Sequence, residues 1–328
     1  MLAEKVTDYA VALADAALDI GAIRLWPKDG PFQWASGFFM PIYNDNRLLL
    51  ARSQYRKIVA EGFRDVLQRQ GVNPDLVGGT STSGIAPASS LAQLLGVPVA
   101  LQNGGKIYVM DKSLTDSLRA DPEHFARPLD IVVSTCPFSI PPAVMDANDH
   151  GRPFAYVRQD QKDHGLRKKI EGLVRRNDTA MLVDCHVGDS YVFDAQDTLE
   201  EAGVIVGVAS SKDISDVLKP SDVKGRTIVQ VEDLVSTGGS CIEEVKEYRL
   251  QGAEVPFCVA IFSYGLEKAD AKFREAKVQV FPLLTYDVLL SRARDRRLIS
   301  EGDLRVLGRW REDPFGWGEK QGYLPVKK

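Results

Sequence analysis

Residues 228–240, IVQVEDLVSTGGS, combine a strand, two carboxylates and a glycine turn in one short stretch. Four residues with a high preference for strands lead to Glu232 and Asp233, and the pattern after the turn predicts a helix over 241–250. The two glycines allow backbone N–H groups to form a concave nest, and the helix points its positive N-terminal end at the same place. The stretch therefore predicts an anion-binding site at the end of a strand.

Acidic side chains beside an anion-binding turn indicate a phosphorylated sugar as the ligand. The carboxylates of Glu232 and Asp233 would hold the 2- and 3-hydroxyls of a ribose. Thr237 and Ser240 would add hydroxyl donors to the turn that holds the 5-phosphate. Gly-Gly turns after strands also occur for purely structural reasons, and for TGGS alone this alternative is equally good. The preceding pair of carboxylates favours the binding function.

The overall composition indicates a soluble cytoplasmic enzyme. The 328 residues are 44% hydrophobic and 26% charged, which is enough for one large or two small domains. The net charge of −4 argues against a nucleic-acid-binding surface, which needs a basic stripe. Residues 1–20 predict an amphipathic helix rather than a signal peptide, and no apolar run reaches membrane-spanning length. The four cysteines form no CxxC pair, so we expect free, mostly buried thiols.

Apolar strand-like runs alternate with helical patterns along the chain. The candidate strands are 76–79, 97–101, 130–134, 154–158, 180–184, 204–209, 227–231 and 255–262, and the candidate helices are 2–20, 52–70, 86–95, 195–202, 241–251 and 266–276. This alternation predicts an α/β fold with a mainly parallel sheet flanked by helices. Ligands of such sheets bind outside the carboxyl ends of the strands, where the turn after Asp233 would lie. The segment after Arg311 is expected to pack irregularly on the surface.

Three further segments carry residues that suit the same chemistry. Residues 32–50 mix aromatic side chains with Ser, Gly, Pro, Asn and Asp, which suits a cap over a flat polar ring; a strand–turn–strand packing element is equally consistent. Residues 78–84, GGTSTSG, form a second glycine loop after a strand. Residues 155–172 place Lys162 and His164 after a strand. A solvated charge run is the simpler explanation of that segment, but cations on a Gly-hinged loop suit a pyrophosphate leaving group.

In this order the four segments resemble the orotate phosphoribosyltransferases, which belong to the type I phosphoribosyltransferase family. The stretch VEDLVSTGGS is typical of phosphoribosyltransferases in general, and PIYNDNR (41–47), within the N-terminal segment that we call the hood, points to orotate. A lysine that precedes the hood Ser-Gly elsewhere in the family is Ala35 here. The similarity continues through AIFSYGLEKADAKF (260–273), TYDVLL (285–290) and LISEGDLRVLGRW (298–310), and it covers most of 1–103 and 223–313, plus 152–173.

The resemblance implies a transferase of pyrimidine (UMP) biosynthesis in which orotate displaces pyrophosphate from C1 of 5-phosphoribosyl 1-diphosphate (PRPP), with Mg²⁺ carried by the PRPP. Because the transition state has oxocarbenium character, catalysis is mainly the placement of charge around the departing pyrophosphate. The implied catalytic residues are Lys162, His164 and Asp233. The implied PRPP-binding residues are Arg158, Lys162, His164, Glu232, Asp233, Leu234, Val235, Ser236, Thr237, Gly238, Gly239, Ser240, Thr80, Ser81, Ser83 and Gly84, and the candidates for orotate are Tyr43, Asp45, Arg47 and Ser236.

The chain also contains an internal repeat. Residues 75–103 align without gaps to 130–158 at a constant offset of 55, with ten identities in 29 positions. The identical pairs are Asp75/Asp130, Val77/Val132, Thr80/Thr135, Ile85/Ile140, Pro87/Pro142, Ala88/Ala143, Ala92/Ala147, Gly96/Gly151, Pro98/Pro153 and Ala100/Ala155. A weaker similarity links 179–211 to 227–263. Chance similarity between two βα units is the alternative, and the shared loop register counts against it.

The two copies lack complementary parts of the site. In the second copy, Glu232-Asp233 is replaced by Asp184-Cys185, and the TGGS turn by the sequence DSYV at 189–192. The cationic loop is lost from the first copy, where the positions matching Arg158, Lys162 and His164 are Asn103, Ile107 and Val109. One complete site per chain is therefore expected.

This complementarity predicts two domains. Residues 1–112 plus 223–328 would form a phosphoribosyltransferase domain with its hood, and residues 113–222 a degenerate second core that carries the mobile catalytic loop. Because family dimers complete each site with a loop from the partner subunit, the chain would be an internal pseudo-dimer and a monomer. An ordinary homodimer, with Lys162 acting across the chain boundary, stays open as the alternative.

Two other functions are consistent with parts of the sequence. A phosphoribosyltransferase for another base would keep the catalytic turn, since only the hood argues for orotate. A regulatory protein that senses PRPP without turnover would be expected to lose its cationic loop, whereas Lys162 and His164 persist here beside an intact turn. We expect small-molecule substrates, with no nucleic acid or membrane as a partner.

Overall fold

A computed structural model of the chain describes residues 7–25, 30–34, 37–118, 128–158, 169–186 and 190–324. It contains two mainly parallel sheets with helices between and outside them, so the predicted α/β fold is confirmed. The strands are β1 (Ile23–Leu25), β2 (Phe32–Gln33), β3 (Phe39–Met40), β4 (Ile42–Asn44), β5 (Leu76–Gly79), β6 (Val99–Asn103), β7 (Lys106–Met110), β8 (Ile131–Ser134), β9 (Phe154–Val157), β10 (Ile170–Glu171), β11 (Thr179–His186), β12 (Ile205–Asp213), β13 (Thr227–Val235), β14 (Glu254–Ser263) and β15 (Gln279–Thr285).

Each predicted helix is present, and the described part of the chain contains five further helices that were not predicted. The helices are α1 (Asp8–Asp19), α2 (Ser53–Arg69), α3 (Ile85–Leu95), α4 (Lys112–Leu118), α5 (Ile140–Asp149), α6 (Val192–Glu201), α7 (Gly239–Leu250), α8 (Glu267–Glu275), α9 (Tyr286–Asp295), α10 (Glu301–Glu312) and α11 (Trp317–Lys320). Helix α5 was not predicted, because Pro141 and Pro142 are usually helix-breaking residues. They lie in its first turn, where a missing N–H costs no hydrogen bond.

The two sheets share a strand order. The first sheet runs β15-β14-β13-β5-β6-β7 and the second runs β12-β11-β8-β9-β10, so the second matches the first from β14 to β7. In both, the last strand of this series is antiparallel to its neighbour. The Asp75 N–H donates to Thr227 O over 2.9 Å and the Thr227 N–H donates to Asp75 Oδ2 over 2.8 Å. Asp130 and Thr179 make the same two bonds, over 2.9 and 2.8 Å.

The chain leaves the first sheet and returns to it at the same edge. Strand β7 leads into α4, and on the return Pro220 forms an isolated bridge with Tyr108 of β7. The Ser221 N–H donates to Ile107 O over 2.8 Å before β13 begins. The segments that flank 113–222 therefore lie side by side at one sheet edge.

Helices α2, α3 and α5 lie between the two sheets. Helix α3 packs against both α2 and α5, and one continuous apolar core contains side chains from both sheets. Smaller cores cover the outer face of each sheet, under α7 and α8 for the first and under α6 for the second. This sandwich brings the carboxyl ends of β5 and β13 close to those of β8 and β9.

The hood is built from two short antiparallel pairs, β1 with β4 and β2 with β3. Trp34 fixes it to the first sheet, because its indole Nε1 donates to Ile42 O over 2.9 Å while its ring lies 5.3 Å from that of Tyr264. The segment after Arg311 packs on the hood, with the Phe315 ring 5.3 Å from the Phe38 ring. The tail differs from the expected irregular surface packing at α11, a short helix in which Trp317 is buried.

The four cysteines are free and buried, as predicted. Within the described ranges, no helix is both long enough and apolar enough to cross a membrane.

Candidate active site

The predicted strand–turn–helix is present, although its strand is longer than predicted. Strand β13 continues past the carboxylates to Val235, and α7 begins at Gly239. Gly238 has a φ of +68°, a left-handed conformation that favours glycine. A Cβ atom there would also lie 2.9 Å from the ring of Phe273. The turn therefore depends on glycine for both conformation and space, and it opens directly onto the N-terminal end of a helix of 12 residues.

The two carboxylates of β13 have different environments. Glu232 is 4% exposed and its Oε1 accepts from the Asp233 N–H over 3.0 Å. Burial raises the pKa of Glu232 well above its usual value, and the neighbouring charge of Asp233 raises it further. Asp233 is half-buried, which leaves it the more accessible of the two.

Asp233 is the point where three segments of the fold meet. Its Oδ1 accepts a hydrogen bond from Ser83 Oγ over 2.8 Å, which ties β13 to the loop 80–84. Its main-chain oxygen accepts from Asn46 Nδ2 over 2.6 Å, which ties the same residue to the hood. The structure therefore brings the carboxyl end of β13, the second glycine loop and the hood to one place.

The loop 80–84 is held by close backbone approach and by a carboxylate from α7. A Cβ atom on Gly84 would lie 2.5 Å from both Thr80 N and Val231 O, so only glycine fits there. The Ser81 N–H donates to Glu244 Oε1 over 2.7 Å. Burial raises the pKa of Glu244. Sequence analysis missed Glu244, which looks like an ordinary helix-surface residue in α7.

The candidate orotate residues of the hood form a charged cluster. The Arg24 guanidinium lies 4.9 Å from the centre of the Tyr43 ring. Arg47 Nε donates to Asp45 Oδ1 over 2.6 Å, and Arg47 Nη1 donates to Glu171 Oε1. Burial opposes the charge of Arg47, but the two carboxylates outweigh it and raise its pKa. Arg47 is thus already ion-paired in this structure, which the sequence did not indicate.

The second sheet reaches the hood through β9 and β10. Arg158, the residue after β9, contributes Nη1 to Glu171 Oε1 over 3.3 Å. Tyr156 of β9 is 3% exposed; burial raises its pKa, the charge of Glu171 raises it further, and the charge of Asp233 also contributes. Arg158 therefore lies on the same side of the molecule as the carboxylates of β13. Lys162 and His164 lie outside the described residues.

A cavity of about 130 Å³ separates the two sheets at this point. Its walls come from both halves of the chain: Thr82, Thr135, Cys136, Pro137, Tyr156, Val157 and Arg158. On one side the lining comes from Thr82 of the loop 80–84, and the lining from the second sheet extends to Arg158. A small polyanion placed there would contact residues of both sheets.

The corresponding place in the second sheet is filled by the chain itself. Asp184 is fully buried, and its carboxylate accepts hydrogen bonds from Thr135 Oγ1, from Ser190 Oγ over 2.6 Å and from Ser211 Oγ over 2.8 Å. His186 Nδ1 lies 3.0 Å from the same carboxylate. These contacts occupy the acceptor positions of Asp184 that a ribose would need.

The missing cationic loop of the first copy has a structural explanation that differs from the predicted one. Ile107 and Val109 do not lie in a loop but in β7, which pairs with β6. The two strands are joined by Gly104 and Gly105 alone, with φ values of +56° and +71°. Such a two-residue turn is a common hairpin connection. The loop is thus deleted rather than substituted, and the predicted correspondence of these two positions with Lys162 and His164 is wrong.

The sequence has relatives among curated orotate phosphoribosyltransferases. The one from Staphylococcus saprophyticus is 27% identical over 304 residues, covering 93% of this chain and 98% of the relative. The one from Streptococcus agalactiae serotype Ia is 28% identical over 310 residues, covering 94% and 99%. The chain is a relative of the orotate phosphoribosyltransferases. A solved structure of that name from Francisella tularensis aligns with a TM-score of 0.49 at 11% identity, covering 95% of this chain and 98% of its own. No family model matches.

The recognition made from the sequence is thus supported by relatives that match over nearly the whole chain. Among the predicted site residues in the described ranges, Ser83 contacts Asp233, and Arg47 and Arg158 both pair with Glu171. The hood contributes Arg47, the glycine loop contributes Ser83 and the second sheet contributes Arg158. Sequence analysis missed Glu171. The one indication in the sequence is its position, directly after the cationic segment and before a glycine.

Proposed function

We propose that this chain is an orotate phosphoribosyltransferase, which forms orotidine 5′-phosphate and pyrophosphate from orotate and PRPP. The bond between C1 of the ribose and the pyrophosphate oxygen breaks, and the bond from C1 to N1 of orotate forms. The observation that carries this proposal is the position of Asp233, which is hydrogen-bonded to the glycine loop through Ser83 and to the hood through Asn46.

The ribose 5-phosphate is bound by β13 and the turn that follows it. Asp233, half-buried at the cleft, accepts hydrogen bonds from the ribose hydroxyls, and Glu232 supports it from the buried side. The phosphate lies against Leu234 to Ser240, where backbone N–H groups and the N-terminal end of α7 face it. This arrangement fixes C1 of the ribose between the hood and the cavity.

The pyrophosphate lies between the two sheets. We assign one side of it to Thr80, Ser81, Ser83 and Gly84, and the other side to Arg158, which lines the cavity. Lys162 and His164 follow Arg158 in the sequence and lie outside the described residues; we assign them to the same leaving group. Lys162 and His164 act as catalytic residues, because cations there neutralise the leaving group and His164 can protonate it. Charge placement of this kind stabilises a transition state in which C1 is positive and the pyrophosphate negative.

Orotate binds under the hood, next to Tyr43, Asp45, Arg47 and Ser236. Arg47 suits its carboxylate, since a guanidinium offers two parallel donors to a carboxylate. The existing ion pairs of Arg47, one with Asp45 of the hood and one with Glu171 of the second sheet, fix the direction of its side chain before orotate arrives.

PRPP would carry Mg²⁺ into this site. Mg²⁺ keeps several waters and is held through phosphates and one or two carboxylates, so the half-buried carboxylate of Asp233 fits it, although we assign no direct protein ligand. The ion supplies charge neutralisation to the diphosphate. The side chains described above bind and orient the substrates.

The inserted second core provides the loop that a partner subunit provides in a dimer. The matching strand orders, the equivalent bonds of Asp75 and Asp130, and the adjacent entry and exit of the chain at β7 support a pseudo-dimer formed by 1–112 plus 223–328 with 113–222. The corresponding place in the second core, around Asp184, is filled by its own side chains, so such a chain has one active site. In this proposal the chain works as a monomer in the cytoplasm.

Two assays test the proposed function. Orotate consumption with PRPP and Mg²⁺ is followed spectrophotometrically, and uracil, adenine and hypoxanthine replace orotate in parallel. Turnover of another base instead of orotate would support the alternative specificity. A chain that turns over no faster than its Lys162→Ala variant would support the PRPP-sensing alternative.

A further inference from the structure

One carboxylate oxygen links two arginines from different parts of the fold. Glu171 Oε1 accepts from Arg47 Nη1 of the hood and, over 3.3 Å, from Arg158 Nη1 of the second sheet. Glu171 is 3% exposed, whereas the side chains of Arg47 and Arg158 are 18% and 20% exposed. The carboxylate is therefore more deeply buried than the two guanidinium groups, and Arg158 also lines the cavity between the sheets.

The charges of this cluster balance. Arg47 and Arg158 carry two positive charges, and Asp45 and Glu171 carry two negative ones. A buried carboxylate is stable only when cations pair with it, and removal of one partner leaves the others uncompensated. Glu171 is thus held by the same two groups that the proposed function assigns to the anionic parts of orotate and of PRPP.

We propose that Glu171 is an internal counter-anion for the substrate-binding arginines. It pairs with Arg47 and Arg158 in the substrate-free chain, keeps their mutual repulsion low and sets their direction. The substrate anions then compete with it for the same guanidinium groups. This assignment rests on the proposed function for the identity of the ligands, whereas the pairing itself is independent of it.

The consequence is a split between binding and turnover. Glu171→Gln removes the negative charge that pairs with Arg47 and Arg158, so the cluster becomes net positive and binds an anion more tightly. We expect the Kd for pyrophosphate, measured by calorimetry on the full chain, to fall by about threefold to tenfold. Because the arginines lose their set direction, we expect kcat to fall by about tenfold. A merely structural role would weaken binding and turnover together.

The matched control is Glu267→Gln, which breaks an exposed ion pair with Arg274 and is expected to leave both quantities unchanged. If the Gln variant does not fold, Glu171→Asp carries the test: its shorter side chain pairs less well with both arginines, so pyrophosphate should again bind more tightly than to the wild type. An unchanged or raised Kd in the folded variant overturns the proposal.

The same measurements separate this proposal from the proposed function. Calorimetry with pyrophosphate does not require turnover. If the wild-type chain has no activity with orotate, the proposed function is overturned. Tighter binding of pyrophosphate by Glu171→Gln would still support the role of Glu171 as a counter-anion. If the wild-type chain is active but Glu171→Gln binds pyrophosphate no more tightly than the wild type, only the counter-anion proposal is overturned.

Discussion

Asn148 donates a hydrogen bond through Nδ2 to Gln93 Oε1 over 3.0 Å, and the two residues occupy the same position in the two halves of the repeat, 55 residues apart. A residue meets its own equivalent only near a twofold axis, as in a symmetric dimer interface. The contact between α3 and α5 therefore has the form of a subunit interface within one chain. It supports the pseudo-dimer that we propose.

The first prediction concerns mass and this internal interface. We expect sedimentation to give the mass of one chain, 36.2 kDa, because the dimer-like contact is already satisfied internally. Asn148→Ala removes bonds to Gln93, Ser90 and Arg56, so the free energy of unfolding should fall by about 1–3 kcal/mol with no change in mass. Gln196→Ala, on the exposed face of α6, is the control and should change little. A mass of two chains would contradict the prediction.

The second prediction concerns the origin of the cationic loop. Lys162→Ala and Asp233→Ala should each abolish turnover, and a mixture of the two variants should stay inactive. An internal pseudo-dimer joins Lys162 to the Asp233 of its own chain, so neither variant can repair the other. The readout is orotate consumption after prolonged co-incubation, with each variant mixed with wild type as the reference for dilution. Recovered activity in the mixture would favour a homodimer that exchanges loops.

The third prediction concerns the backbone of the glycine loop. Gly84→Ala places a Cβ atom 2.5 Å from two backbone atoms, Thr80 N and Val231 O, which have little freedom to move. We expect a loss of stability of about 1–3 kcal/mol and a clear rise in KM for PRPP, because the loop must shift. Gly308→Ala in α10 meets no atom within 4 Å and should be neutral or slightly stabilising. Chemical denaturation and steady-state kinetics check both variants, and an unchanged KM for Gly84→Ala would contradict the assigned role.

The fourth prediction concerns the pH dependence of stability. Burial raises the pKa of Glu232 in the folded chain, so folding favours its protonated form. Its contribution is complete below the unfolded pKa, near 4.5, and is lost as the pH rises through the higher folded pKa. Glu232→Gln should therefore match the wild type near pH 4 and exceed it by about 1–3 kcal/mol at pH 8, with reduced turnover.

Thermal melts from pH 4 to pH 8 measure this difference. Glu267→Gln, at a side chain that is 80% exposed, serves as the control and should give a stability difference that does not depend on pH. A wild-type chain that is more stable than Glu232→Gln at pH 8 would contradict the sign of the predicted effect.

Local sequence patterns were enough to predict much of the fold. The turn at 236–240 was predictable because glycines, carboxylates and a helix start act over a few residues, and the alternation of strands and helices depends on nearby side chains. The ends of β13 were less predictable, since its last residues gain strand pairing from β14. Helix α5 was missed because its prolines are tolerated only in a first turn.

The sequence by itself determined the α/β fold, the glycine turn at 236–240 and the internal repeat, since each depends on residues that are close together in the chain. Only the tertiary structure decided that Glu171 meets Arg47, 124 residues away, that Ser83 meets Asp233, 150 residues away, and that the first copy's loop is a two-glycine turn. The physical reason is that such contacts form only when packing brings distant segments together, and the periodicity of one segment does not specify the partners of another.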